Sequence, residues 1–113
     1  MTTKTPIKSD KIEKFLKENP GWKVISPKNK KFFPAHDQLF REYKFPSDQT
    51  TNECAYSILQ LSEKQNHHPL LVIEWRKISI SWSTHEIKSI HQLDLEMAKK
   101  SDEIFSKLIS QLI

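Results

Sequence analysis

The sequence has a single glycine and a single cysteine, and each scarcity excludes a class of site. A loop that cradles phosphate groups needs several glycines, because its backbone must approach the ligand closely, so nucleotide-binding loops of that kind are excluded. Cys54 alone forms neither an internal disulfide nor a cysteine-built zinc site, which fits a reducing compartment. The nucleophile sequence Gly-x-Ser-x-Gly is also absent, which argues against a serine hydrolase.

The sequence also lacks long apolar stretches and long segments in which charged residues of one sign dominate. No segment approaches the roughly 18 to 20 consecutive apolar residues of a membrane span, and the N-terminus lacks the apolar run of a secretory signal. We therefore expect a soluble protein without a membrane partner, located in the cytoplasm with the nucleus as an alternative. The formal net charge is +4, but acidic residues are interspersed among the basic ones, so we expect no nucleic-acid partner. The basic cluster at 28–31 is interpreted as a solvated loop, with an anion-binding patch as the alternative.

What the sequence does contain is the pattern of one small domain. Its 113 residues are enough for a single hydrophobic core. No repeat, linker or low-complexity tract divides them. We expect one domain over 1–113, with 1–8 as a flexible N-terminal segment.

Hydrophobic spacing predicts three helices and four strands. The helices are predicted at 9–18, 47–65 and 93–112. The strands are predicted at 22–25, 39–45, 70–75 and 77–83. The order is therefore αββαββα, and strands in hairpin pairs with helices between them indicate the α+β class. We expect a four-stranded antiparallel sheet with the helices packed on one face.

The ends of the helices carry capping residues. Ser9 or Asp10 is predicted to cap the first helix at its N-terminus. Thr50 and Glu53 are predicted to form a capping box in the second helix. Asn66 is predicted to end that helix, because asparagine tolerates the left-handed conformation common just past a helix end.

The same spacing predicts which side chains the helices bury. In the second helix these are Ala55, Ile58, Leu59 and Ser62. In the third helix they are Met97, Ser101, Ile104, Phe105, Leu108 and Leu112. The strand that begins at Leu70 is apolar on both faces, so we expect another subunit to cover its edge or the far face of the sheet.

Three of the five histidines, His67, His68 and His85, are placed to meet. The first two fall between the second helix and the third strand, and His85 follows the fourth strand. If these two strands form a tight hairpin, the start of one lies beside the end of the other, so the imidazoles gather at one end of the sheet. Near neutral pH one imidazole can give a proton while another accepts one. The pattern therefore predicts acid–base catalysis, against the alternative that each histidine is merely a surface or capping residue.

Other arrangements compete with this interpretation. Glu63 lies four residues before His67, so a carboxylate and an imidazole share a face if the helix persists that far. Three histidines with an open position also form catalytic zinc sites. Adjacent His67 and His68 point to opposite sides of an extended backbone, however, so we expect no metal. Cys54 has no histidine near it in sequence, so we expect no thiol nucleophile.

The spaced pattern Glu63, His67-His68-Pro69, Trp75, His85 and Asp94 resembles the defining motif of the pterin-4a-carbinolamine dehydratases. Ser83-Thr84-His85-Glu86 matches the second active-site segment of that family. The resemblance covers about 20–112 and includes Gly21-Trp22 and the alternating strand at 39–45. Two features depart from the family pattern, namely a longer and more basic loop around 27–37, and a histidine at position 91 where many members have Ser or Thr capping the last helix.

The resemblance implies an α+β subunit that associates into dimers or tetramers, uses no cofactor or metal, and removes water from a 4a-hydroxytetrahydropterin during pterin recycling. It implies a pterin pocket lined by Asn66, His67, His68, Ser83, Thr84, His85 and Glu86. Trp22 is either an aromatic wall of that pocket or a core residue. Some animal members of the family also bind a homeodomain transcription factor through a helical surface, so a role as a dimerisation cofactor is the alternative function.

The residue types suit the reaction that the resemblance implies. Water loss from C4a needs a proton delivered to the departing hydroxyl and removal of the N5 proton. Our hypothesis assigns His68 and His85 as acid and base, with His67 orienting the ring or stabilising the leaving oxygen. Glu63 is expected to hold a histidine in its working tautomer, and Asp94 to play a similar supporting part.

Overall fold

The computed structural model describes residues 4–26 and 36–112, and the predicted order of elements is confirmed. The helices are α1 (Ser9–Glu18), α2 (Asp48–Gln65) and α3 (Gln92–Ser110), and the strands are β1 (Lys23–Ile25), β2 (Gln38–Lys44), β3 (Leu70–Glu74) and β4 (Lys77–Trp82). Every predicted boundary lies within two residues of the observed one. The basic cluster at 28–31 and most of the predicted loop lie outside the described residues. None of the described helices is long and apolar enough to cross a membrane.

The four strands form one antiparallel sheet in the order β1-β2-β4-β3, which confirms the α+β class. Side chains alternate between the two faces of a strand. Along the central strands, alternate residues therefore enter the core beside helix residues such as Ile58 and Met97. The strand residues on this face are Leu39, Tyr43, Ile78, Ile80 and Trp82.

The turn between β3 and β4 is formed without glycine or asparagine. Glu74 pairs with Lys77, so Trp75 and Arg76 make the turn. Arg76 takes a left-handed conformation with φ 55°, which few residues other than glycine adopt readily. The Phe45 amide donates to the Arg76 carbonyl at 2.9 Å, which holds the turn against the end of β2.

The predicted N-caps of the first two helices are wrong. Lys8 occupies the N-cap position of α1 and makes no side-chain cap bond, while the carboxylate of Asp10 accepts from the Lys11 amide. The hydroxyl of Ser47 caps α2 by accepting from the Thr50 amide at 3.1 Å. The helix therefore starts three residues before the predicted capping box.

The C-terminus of α2 ends in a left-handed residue, and the N-terminus of α3 is capped by a side chain. Asn66 ends α2 in the left-handed conformation, with φ 50°, as predicted. His91 caps α3, since its Nδ1 accepts from the Leu93 amide at 3.0 Å and its own amide donates to Asp94. A histidine thus replaces the Ser or Thr cap without loss of the capping box.

The predicted buried faces are confirmed except at two leucines. Ala55, Ile58, Ser62, Met97 and Ser101 are buried, and the remaining residues of the α3 face are partly buried. Leu59 and Leu112 are about half exposed, at 48% and 56%. Leu59 lies at the margin of the predicted stripe, and Leu112 lies beyond the end of α3.

The N-terminal segment that we expected to be flexible makes specific contacts from residue 4 onward. The amide of Ile7 donates to the carbonyl of Ile90 at 2.9 Å, and the Ile7 side chain packs against the core. Lys4 forms an ion pair with Glu86 at 2.9 Å.

Candidate active site

Strand pairing decides which chain segments meet at the candidate site. Leu70 at the start of β3 pairs with Ser81 near the end of β4. In β2, Leu39 pairs with Trp82. Residues just before β3, just after β4 and just before β2 therefore share one end of the sheet. The hairpin prediction concerned the first two of these segments and did not include the start of β2.

Asp94, in the first turn of α3, joins two of these segments. Its Oδ1 lies 2.6 Å from Nε2 of His67, and its Oδ2 accepts from the hydroxyl of Thr84 at 2.8 Å. The same Oδ2 accepts from the amide of His91 at 2.9 Å. The carboxylate is completely buried, so the segment at 67–68 and the segment at 83–86 are connected through one side chain.

His67 is an oriented, buried imidazole. Its residue is 8% exposed, and its ring stacks on that of Trp82, with centroids 5.7 Å apart and planes 11° apart. Its amide donates to the carbonyl of Ser62 at 3.1 Å. Stacking on Trp82 and the contact with Asp94 together fix the orientation of the ring.

His68 is exposed and pairs with a different carboxylate. Its Nε2 lies 2.9 Å from Oε1 of Glu63, and its side chain is 50% exposed. Glu63 was expected to share a face with His67 only if the helix persisted that far, and α2 ends at Gln65, before His67. The left-handed turn at Asn66 redirects the chain after α2, so His68 returns toward the helix while His67 turns inward.

His85 lies in a tight turn directly after β4. Thr84 and Ser89 form an isolated antiparallel bridge, and the Lys88 amide donates to the carbonyl of His85 at 3.2 Å. Lys88 adopts a left-handed conformation with φ 48°, which closes the turn. The His85 side chain is exposed, so its imidazole is accessible to a ligand at this end of the sheet.

The remaining predicted pocket residues take different positions. Asn66 and Glu86 are exposed, whereas Ser83 and Thr84 are buried. The hydroxyl of Thr84 is used in the bond to Asp94, and its amide and carbonyl are used in the turn at 84–89. The contacts of Thr84 thus support the site from within the protein.

Trp22 is not brought to the histidines. It is 3% exposed, packs edge-to-face on Tyr43, and donates its indole N–H to Asp102 at 2.9 Å. It precedes β1, whose other end lies at the histidine side of the sheet. Gly21 beside it leaves room for the guanidinium of Arg41, since a Cβ there would lie 2.5 Å from Cζ. The structure therefore places Trp22 in the core.

Asp102 gathers three donors around this core position. Besides Trp22, the Tyr43 hydroxyl donates to it at 2.5 Å and Nη1 of Arg41 at 2.9 Å. Burial and the bond to Asp102 raise the pKa of Tyr43 well above its usual value. The phenol thus stays protonated, and the cluster ties β2 to α3.

His36, which was not predicted as a site residue, lies at this end of the sheet. Its Nε2 lies 3.0 Å from Oγ of Ser83, and its ring meets that of His85 edge-to-face with centroids 5.4 Å apart. Burial lowers the pKa of His36 below its ordinary value, and the proximity of His85 lowers it further. No local motif marks this histidine, and only the pairing of β2 with β4 brings it to the site.

Two further observations bear on the chemistry. Among the described residues, no three His, Cys, Asp or Glu side chains are grouped so that they could hold a metal ion. Burial raises the pKa of Cys54 to about 11, so its thiol is a poor nucleophile near neutral pH.

Comparison with known proteins assigns the family. A family model described as Pterin 4 alpha carbinolamine dehydratase matches residues 5–104. This chain belongs to that family. A relative from Hahella chejuensis is 34% identical over 96 residues, which is 85% of this chain and 80% of the relative. A relative from Chlorobium luteolum is 33% identical over 103 residues, which is 91% and 85% of the two chains. Both carry the provisional name pterin-4-alpha-carbinolamine dehydratase.

Two solved structures share the fold at lower identity. A crystal structure from Brucella melitensis, titled transcriptional coactivator/pterin dehydratase, aligns with a TM-score of 0.74 at 20% identity, covering 88% of this chain and 98% of that one. A pterin dehydratase-like protein titled a RuBisCO assembly factor in the alpha-carboxysome aligns with a TM-score of 0.58 at 17% identity, covering 75% and 89%. These likenesses support the α+β fold of the family.

Proposed function

We propose that this chain is a pterin-4a-carbinolamine dehydratase, which converts 4a-hydroxytetrahydrobiopterin to quinonoid dihydropterin and water. Family membership supports the reaction class. The observation that carries the proposal is the Asp94 carboxylate bound to both His67 and Thr84, because it brings the 67–68 segment and the 83–86 segment to one place. His68 and His85 then stand exposed beside a buried support.

The proposed reaction is an elimination that needs only proton transfers. One general acid protonates the hydroxyl on C4a, the C4a–O bond breaks, and water leaves. One general base removes the N5 proton, and the electron pair of that bond forms the C4a–N5 double bond. Positioned acids and bases each contribute typically ~10²–10⁴-fold to such a step.

The difference in burial between the three histidines suggests how they divide the work. His68 and His85 are exposed, so we assign them to contact the pterin as acid and base. His67 is buried, stacked and bound to Asp94, so we assign it to orienting the substrate or stabilising the departing oxygen.

The two carboxylates set the orientation of their histidines. An imidazole that donates one N–H to a carboxylate keeps its other nitrogen free for a substrate proton. Glu63 is placed to do this for His68, whereas Asp94 fixes the orientation of the His67 ring. Neither a metal nor an organic cofactor has a step in this mechanism, and the product would return to the pterin pool used by an aromatic hydroxylase.

Stopped-flow kinetics tests the proposal. Freshly generated 4a-hydroxytetrahydropterin is mixed with the protein and the appearance of the quinonoid product is followed by absorbance. The wild-type chain is expected to accelerate dehydration, and His68→Ala or His85→Ala to reduce kcat by at least ~10²-fold. Wild-type rates in both variants would refute the assignment.

A matched control removes a histidine away from the reacting groups. His91→Ser deletes one imidazole but provides a hydroxyl that caps α3 equally well, so the rate of this variant is expected to equal that of the wild type. A chelator added to the assay separates the metal alternative: loss of activity with the chelator, restored by zinc, would replace the proposed mechanism with a metal-dependent one.

We also propose that the chain forms a homo-oligomer, a dimer or a tetramer. β3 is an edge strand, and Ile73 on it is 54% exposed, while Tyr56 and Leu59 on α2 are 63% and 48% exposed. An unpaired edge strand and exposed large apolar side chains are features that association with a second copy would cover. Light scattering after size-exclusion chromatography is expected to give the mass of two or four chains, and a monomer at micromolar concentration would contradict it.

The exposed side of α2 also carries the second candidate function, the binding of a helical partner. Tyr56 and Leu59 lie one helical turn apart, and the Tyr56 hydroxyl accepts from Gln60 at 3.0 Å. Chromatography with an amphipathic helix peptide distinguishes the roles. A homo-oligomer unchanged by the peptide would support the enzyme alone, and a stable mixed complex would support the partner role.

A further inference from the structure

His36 is a fourth histidine at the candidate site, outside the motif that carries the family resemblance. It precedes β2 by two residues. Because Leu39 in β2 pairs with Trp82 in β4, residues just before β2 lie beside the residues that follow β4. The fold therefore delivers His36 to the 83–85 segment, although the two are far apart in sequence.

Two contacts fix the His36 ring at this place. Its Nε2 shares a hydrogen bond with Oγ of Ser83 at 3.0 Å. Its ring packs edge-to-face on His85, with centroids 5.4 Å apart and planes at 90°. Ser83 is buried, so the anchoring hydroxyl is itself held in the protein. An exposed imidazole such as His85 otherwise rotates freely about two side-chain bonds, and this contact restricts that rotation.

Burial and the neighbouring basic groups together favour the neutral form of His36. Burial lowers its pKa most, and His85 lowers it next, with a further lowering from Lys88. Asp37 and Asp94 act in the opposite direction, and the net shift is downward. When His85 takes up a proton, a neutral neighbour is less costly than a second cation at this distance.

We propose that His36 is a positioning residue for His85: the His36 ring, bonded to Ser83 and packed edge-to-face on His85, holds the His85 imidazole in the orientation needed for proton transfer. The proposal rests on the function proposed above, in which His85 exchanges a proton with the pterin. It extends the site by a residue from a third segment of the chain.

Three substitutions separate the ring contact from the hydrogen bond. His36→Ala removes both, His36→Gln retains an amide that can bond to Ser83, and His36→Phe retains only the aromatic edge-to-face contact. If ring contact positions His85, His36→Ala and His36→Gln reduce kcat about 10-fold with KM changed less than about 2-fold. His36→Phe restores part of the rate, because it keeps the ring contact but loses the bond to Ser83. Unchanged kcat in His36→Ala, or no recovery in His36→Phe, would overturn the proposal.

An NMR titration tests the contact without relying on activity. The ring Cε1–H signal of His36 is followed against pH in the wild type, in His85→Gln and in the control His91→Ser. The midpoint of His36 is expected below 6.5 in the wild type, to rise in His85→Gln, and to stay unchanged in His91→Ser. If the titration midpoint of His36 is the same in His85→Gln as in the wild type, the two rings are not in contact.

The two experiments also separate this proposal from the proposed function. A wild-type chain that fails to accelerate dehydration, yet shows the His85-dependent midpoint, would refute the dehydratase and leave the His36–His85 pair intact. A chain that is active but whose His36 variants and titration show no link to His85 would refute the positioning role alone.

Discussion

The third helix carries two buried or half-buried carboxylates, Asp94 and Asp102, and their surroundings differ in one respect. They lie eight residues apart, about two helical turns. Each accepts three hydrogen bonds from other parts of the chain. Around Asp102 the donors are the indole of Trp22, the phenol of Tyr43 and the guanidinium of Arg41.

Around Asp94 the donors are of another kind. They are the imidazole of His67, the hydroxyl of Thr84 and the amide of His91. None of the three donors at Asp102 loses or gains a proton near neutral pH, whereas an imidazole does. A carboxylate with three donors thus stabilises the packing of β2 against α3 at one end of the helix, and at the other end it holds an imidazole near exposed histidines.

The largest expected effect on both stability and activity comes from substituting Asp94. Asp94→Asn places an amide where three donors converge, in a completely buried position. We expect it to reduce the free energy of unfolding by about 3 kcal/mol, and to reduce kcat by about 10²-fold because His67 loses its orientation. Urea unfolding and stopped-flow dehydration measure the two effects. A stable variant with full activity would contradict the role of Asp94.

The same substitution at the other carboxylate separates stability from activity. Asp102→Asn leaves one of three donors without an acceptor, so we expect a loss of about 2 kcal/mol in the free energy of unfolding. The kcat of the folded variant should stay within about 2-fold of the wild type, because Asp102 is hydrogen-bonded to Trp22, Tyr43 and Arg41 and to none of the described histidines. A large fall in kcat without unfolding would show that the two ends of α3 are coupled.

A smaller effect is expected at the exposed carboxylate. Glu63→Gln weakens the contact between residue 63 and His68. The side chain of His68 is 50% exposed and that of Glu63 is 80% exposed. Exposed pairs contribute about 0–1 kcal/mol, so stability should hardly change, while kcat should fall about 3-fold as His68 loses part of its orientation. The rate and the unfolding midpoint in urea provide the two readouts. An effect as large as that of Asp94→Asn would argue against the division between buried support and exposed reactants.

The smallest effect concerns pH and His36. Its pKa in the folded chain lies below the ordinary value, so the unfolded chain binds more protons between the two values. Stability is therefore gained as pH rises through this window and lost as pH falls through it, with the full contribution present above about 6.5. Urea unfolding at several pH values should show a steeper acid loss in the wild type than in His36→Gln. Identical pH profiles would contradict the shift.

Much of the fold is predictable from the sequence because its signals are local. The helical spacing in α1, the alternation in β4 and the left-handed Asn66 each depend on neighbouring residues. The convergence of two histidine segments follows from one hairpin, which is local as well. These parts of the prediction required no knowledge of distant contacts.

The parts that the sequence did not predict depend on distant contacts or on the course of the backbone. His36 joins the site only through the register of β2 against β4. The pairing of Glu63 with His68 depends on the direction in which the chain leaves Asn66. Trp22 was left open between core and pocket, and its donation to Asp102, far along the chain, places it in the core.

The central claim is that His68 and His85, from two separate segments, act on one substrate molecule. The most direct test compares the dehydration rates of His68→Ala, His85→Ala and the double variant under single-turnover conditions. Residues that act as a unit are strongly non-additive, so the double variant is expected to be about as slow as the slower single variant. Wild-type rates in either single variant, or a double variant slowed by the product of two independent effects, would contradict the claim.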